Sequence, residues 1–197
     1  TLKETGTHTY IHQSPSVNPP FLVIPREETT IVDFSGERLL IDTNISDPKY
    51  YISKSSTIIR GKEGYILDNR TKEAAAIADP SLKSYRNHFF QRFPHYILLE
   101  ALDQSSTLRF LGETEYEGKQ QNVISFVTND YRQASLYLNS QTNLLSKLDF
   151  VYSDAIEGDG LFEIVFEGYR ESQKLKIPNG RRIVICGETQ VQTQYKK

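Results

Sequence analysis

A chain of 197 residues with 38% hydrophobic and 24% charged residues has enough apolar material for a core and too little charge imbalance for a disordered tail. The formal net charge is -2, and the Lys and Arg residues are scattered rather than gathered into the basic stripe that nucleic-acid binding needs, so nucleic acid is excluded as a partner. No apolar run approaches the roughly 20 residues of a membrane span, since the longest, around 96–99, is broken by Glu100.

Residues 1–20 are polar and carry Pro15, Pro19 and Pro20, so they read as an irregular N-terminal arm. There is no methionine, and Thr1 is therefore expected to follow a processing site or other boundary, with sequence missing upstream. From residue 21 a single β domain is expected to run to 197. Its first strands are 21–24, 29–34, 38–43, 49–56, 58–60 and 64–69, with Gly36, Asp47-Pro48 and Gly61 as turn signals. The β pattern stops around 71–78. Asp79-Pro80-Ser81 reads as a helix start, with Asp79 as cap and proline at the first helical position.

A helical insert is expected near 80–103, in two pieces. Leu82, Tyr85, Phe89 and Phe93 recur at spacings of three and four, Pro94 interrupts, and Ile97, Leu98, Ala101 and Leu102 continue the pattern. Strands then return at 108–115, 122–128, 134–139, 144–153, 160–170 and 181–192, with turns at 116–119 and 139–142. Val123, Ser125 and Val127 alternate against Ile124, Phe126 and Thr128, so both faces of that strand carry substantial side chains. The single cysteine, Cys186, falls in the apolar run 183–186 and reads as a small buried hydrophobe inside a strand. Strands, then helices, then strands give an α+β class, mainly antiparallel β, with the helical segment on one face of the sheet.

The stretch from Tyr116 to Tyr195 carries a further pattern: Glu-Gly-Lys at 117–119, Val-Ile-Ser-Phe at 123–126, Leu-Tyr-Leu-Asn at 136–139 and Thr-Asn-Leu-Leu-Ser-Lys at 142–147. A turn at Gly158-Asp159, Phe-Glu-Gly-Tyr-Arg at 166–170 and Lys-Ile-Pro at 176–178 complete it, and 92–102 matches as its helical part. This resembles the domain that precedes the metallo-β-lactamase-fold domain in a group of bacterial hydrolases. More remotely it resembles the lipoprotein-carrier (LolA-like) fold of the outer-membrane lipoprotein localisation system. The resemblance covers residues 79–197 well and the first 78 poorly, and none of it is a catalytic signature.

What it implies is an incomplete, curved β-barrel around a helical segment, with an apolar cavity that in the carriers accepts acyl chains. Residues that would line such a cavity are Phe89, Phe90, Phe93, Leu98, Leu99, Phe126 and Phe150; the same residues also read simply as core. The implied partners are an apolar or lipid ligand and a hydrolase domain beyond Lys197, and the implied location is periplasmic or secreted.

No cofactor, metal or catalytic set is expected. The metallo-β-lactamase metal run of histidines is absent, and the four histidines are His8, His12, His88 and His95. His8 and His12 share a face whether the segment is helix or strand, but no third ligand lies near them. Asp154, Glu157 and Asp159 lack the alternation of a calcium loop and read as a charged hairpin turn. Two other function classes stay open: a small hydrolase with an unrecognised site near His88 and His95, and a pure protein-interaction module.

Overall fold

The computed structural model of the chain describes residues 2–12, 22–47, 51–90, 93–129, 131–154, 158–172 and 174–196. Six strands come first: β1 (Leu2–His12), β2 (Leu22–Asp33), β3 (Arg38–Asp47), β4 (Tyr51–Arg60), β5 (Glu63–Asp68) and β6 (Ala74–Ala76). Two helices follow, α1 (Asp79–Phe90) and α2 (Pro94–Asp103), with a 3-10 turn at Ser105–Thr107. Then come β7 (Arg109–Tyr116), β8 (Lys119–Val127), β9 (Gln133–Asn139), β10 (Leu145–Asp154), β11 (Gly158–Ser172), β12 (Leu175–Ile185) and β13 (Glu188–Tyr195). The hydrogen-bonded order is β6-β5-β4-β3-β2-β1-β13-β12-β11-β10-β9-β8-β7, so the sheet is open, with β6 and β7 at its ends.

The chain divides into two compact units, residues 1–89 with 191–197 and residues 90–190. In the first unit, one face of the sheet is a core. Register places Val32, Leu39, Ile59 and Gly64 side by side on β2 to β5, and the three side chains are no more than 2% exposed. α1 lies on this face. Its Leu82 is 6% exposed and occupies the space a side chain at position 64 would fill: a Cβ there would come within 2.6 Å of Leu82 Cδ1. α1 starts one residue earlier than expected: the Leu82 amide donates to the Ala78 carbonyl at 2.8 Å, so Ala78 rather than Asp79 holds the cap position, and Asp79 and Pro80 are the first two helical residues.

In the second unit, Phe93 stands in extended backbone (φ -105, ψ 118) immediately before Pro94, which opens α2. Proline forces that geometry on its predecessor and itself fits a first helical turn, where its missing N–H costs nothing. α2 buries Pro94, Ile97, Glu100 and Ala101. The Glu100 carboxylate is buried because it has work there: its Oε1 accepts the Asn129 amide at 2.7 Å, tying the helix to the turn after β8.

Several expectations are corrected. The irregular arm over 1–20 is, over Leu2–His12, a full strand paired on both sides, with β2 and with β13; residues 13–20 lie outside the described residues. Its threonines and tyrosine suit a strand, and its ladders run mostly to polar neighbours, so it lacks the apolar alternation that marks a half-buried strand. The segments 21–24 and 29–34 are one strand, because Arg26 and Glu28 pair with each other at 2.8 Å along it instead of breaking it. A short strand, β6, occupies Ala74–Ala76, where the β pattern was expected to stop. The expected strand 181–192 is a hairpin, β12 and β13, turning at Cys186-Gly187. Cys186 is therefore exposed instead of buried, and both turn residues have positive φ, 51° and 85°, as a two-residue type I′ turn requires.

Candidate functional site

Alternation along β8 to β12 gives the second unit two chemically different faces. On one, Phe126, Ala134, Phe150 and Phe162 form a row, and Ile124, Leu136, Leu148, Ile164 and Ile183 form the next. Phe126, Phe150 and Phe162 are at most 6% exposed, and the rings of Phe150 and Phe162 stack with centroids 4.9 Å apart. The Arg132 guanidinium lies over the Phe150 ring, 4.5 Å from its centroid.

The expected cavity residues are placed as follows. Phe93, Phe126 and Phe150 are buried in the second unit, Leu98 is half-buried, and Leu99 is 53% exposed. Leu99 points away because the buried stripe of α2 runs through Ile97 and Ala101, four residues apart, and position 99 falls on the other side of the helix. The side chains of Phe89 and Phe90 lie outside what is described. His95 sits in the first turn of α2, hydrogen-bonded to the Lys176 main chain, and burial holds its imidazole below the ordinary range. The side chains of His8, His12 and His88 lie outside what is described, as do residues 155–157 in the turn of Asp154, Glu157 and Asp159.

The other face of the second unit carries a polar cluster that the sequence did not suggest. Lys147 is 6% exposed, and its Nζ lies 2.8 Å from Glu163 Oε1 and 3.2 Å from Asp149 Oδ2. The same ammonium lies over the rings of Tyr137 and Tyr116, at 4.1 and 5.0 Å. Burial works against this charge, but the hydrogen bond to Glu163 and the two carboxylates outweigh it, so Lys147 titrates above its usual value. Burial, with the negative charge of Asp149, raises the Tyr137 phenol. Alongside, Arg182 bridges Glu167 and Glu117. Period-two spacing hints at Lys147 and Asp149 sharing a face, but Glu163 joins them only through the β10–β11 register.

In the first unit, the face opposite α1 is more open. Ile31, Leu40, Ile58 and Tyr65 stand directly opposite one another on β2 to β5, with Ile58 38% and Tyr65 43% exposed. Ile31, Leu40 and Ile58 floor a trough of about 420 Å³ whose end is lined by Asp33, Arg38 and Arg60. Farther along the same strands, a polar groove of about 310 Å³ is lined by Thr29, Asp42, Asn44, Lys54 and Lys196 among others. Beside it, Ser56 donates to Asp42 at 2.6 Å and accepts from Asn69 at 2.8 Å.

No family model and no curated protein matches the chain. Solved structures do. It is similar to an outer membrane lipoprotein-sorting protein domain from Vibrio parahaemolyticus, with a TM-score of 0.59 and 9% identity over 99% of this chain and 83% of that one. A LolA superfamily protein from Nitrosomonas europaea gives a TM-score of 0.55 at 11% identity, over 99% of this chain and 84% of that one. A DUF1329 family protein from Desulfovibrio piger gives 0.60 at 10%, over 99% and 83%. At such identities the likeness is one of fold, and the fold is the LolA-like one: an open, mainly antiparallel sheet with a short helical stretch, the class expected from the sequence.

Proposed function

We propose that this chain is a non-catalytic, carrier-like domain that holds an apolar ligand of the acyl-chain class and works outside the cytoplasm, in a periplasmic or secreted setting. The observation that carries the proposal is the fold likeness, which spans 99% of the chain to a lipoprotein-sorting domain and to a LolA superfamily protein. The chemistry of the second unit supports it. A carrier needs apolar side chains in quantity and few directional groups, and the face of Phe126 and Phe150, together with Phe93 and Leu98 from the α2 region, has that character. We place the ligand against these residues, with Leu99 at the rim.

The structure supplies little for the hydrolase reading, since the described contact of His95 is with main chain. Among the described residues, no group of three or more His, Cys, Asp or Glu side chains is arranged to hold a metal, and no helix is long and apolar enough to cross a membrane. The test is displacement of a fluorescent fatty-acid analogue from the purified chain. Saturable binding that unlabelled fatty acid reverses is the expected result. If no analogue binds, the carrier proposal fails. The second reading, an accessory domain beside a metallo-β-lactamase-fold hydrolase, then takes its place, on the strength of the strand pattern from Tyr116 to Tyr195.

A further inference from the structure

The trough on the open face of the first unit combines two features that fit one ligand. Its floor is apolar: Ile31, Leu40 and Ile58 are directly opposite one another across β2, β3 and β4, and Ile58 is 38% exposed although isoleucine gains by burial. Its end is cationic. Arg38 and Arg60 are themselves directly opposite across β3 and β4, an arrangement in which like charges repel. Asp33 offsets only part of this, pairing with Arg38 at 3.2 Å, while Arg60 makes no ion pair or side-chain hydrogen bond with any described residue.

Two guanidinium groups on facing strands, one of them uncommitted, at the end of an apolar trough of about 420 Å³ would be relieved by an anion with a hydrocarbon tail. A carboxylate fits the planar fork of arginine in a bidentate manner, which a point charge on lysine would not provide. We propose that this trough is a binding site for a fatty acid, its chain along Ile31, Leu40 and Ile58 and its carboxylate at Arg60 and Arg38. The site is separate from the aromatic face of the second unit and shares with the carrier reading only the ligand class.

The experiment is a calorimetric titration of the full chain with dodecanoate and, in parallel, with dodecanol, which keeps the chain and lacks the carboxylate. Arg60→Glu is expected to weaken the trough's dodecanoate binding about tenfold or more, the loss of a charge-assisted contact, and to leave dodecanol unchanged. Ile58→Asp is expected to remove both ligands from the trough. Both residues are exposed, so the variants should fold, and unchanged melting temperatures would verify that.

Wild-type dodecanoate affinity and stoichiometry in both variants would overturn the trough while leaving the carrier reading intact. Binding abolished altogether by Ile58→Asp would do the reverse, placing the only acyl site in the first unit. A wild-type chain that takes up neither ligand would sink both.

Discussion

Lys147 is held by Asp149 and Glu163 under two tyrosine rings, and all three charged groups are largely out of water. Removing the cation alone leaves two buried carboxylates without compensation. Lys147→Ala is therefore expected to cost about 3 kcal/mol, readable as a drop in the denaturation midpoint. A loss under 1 kcal/mol, in the range of a surface pair, would show that water reaches the cluster.

His95 gives a pH dependence of definite sign. Its folded value is depressed by burial, so the unfolded chain binds the extra proton first as pH falls. Its contribution to stability is complete above the ordinary imidazole value of about 6.5 and is lost as pH falls from there to the depressed value. His95→Gln should flatten the stability profile over that interval, and a wild-type slope in the variant would contradict the burial. At Cys186 the φ of 51° suits asparagine better than cysteine. Cys186→Asn is expected to raise stability by roughly 0.5 kcal/mol, and the native thiol should react with a disulfide reagent without unfolding.

Among the elements, those with apolar periodicity were legible and those held by backbone pairing were not. α1 and α2 follow from Leu82, Ile97 and Ala101 at helical spacing and from the two prolines that start them, and β8 from its two-sided alternation. β1 has no such pattern, since its definition lies in ladders to β2, the next strand, and to β13, far away in the chain. Gly6 shows how close that pairing is: a Cβ on it would sit 2.5 Å from the Gln194 carbonyl oxygen and 3.3 Å from the Tyr195 Cα. Backbone in a paired strand cannot step aside as a side-chain tip can. Gly6→Ala is expected to destabilise by about 1–3 kcal/mol, measured by chemical denaturation, and a neutral result would mean that β13 does not lie against β1 as described.

For the molecule as a whole, strand grammar between Tyr116 and Tyr195 was enough to suggest the LolA-like fold, because hairpins and their turns are local. The division into two units was not legible, since it depends on the last strand: β13 begins among residues of the second unit, while 191–197 belong with the first. Nor was the candidate site fully legible. Helical spacing placed Phe93 on the stripe of the first helix, whereas it stands in extended backbone between the two helices; the facing of Phe126 to Phe150 through Ala134 is a matter of register across three strands, and so is the trough of Ile31, Leu40 and Ile58.

The central claim is that this fold holds an acyl chain. Its most direct test is native mass spectrometry of the freshly purified chain, followed by organic extraction and lipid analysis. The account predicts a mass above that of the polypeptide, matched by a fatty-acid or phospholipid component in the extract at near one-to-one ratio or higher. A bare polypeptide mass that gains nothing on adding fatty acid or phospholipid would contradict it.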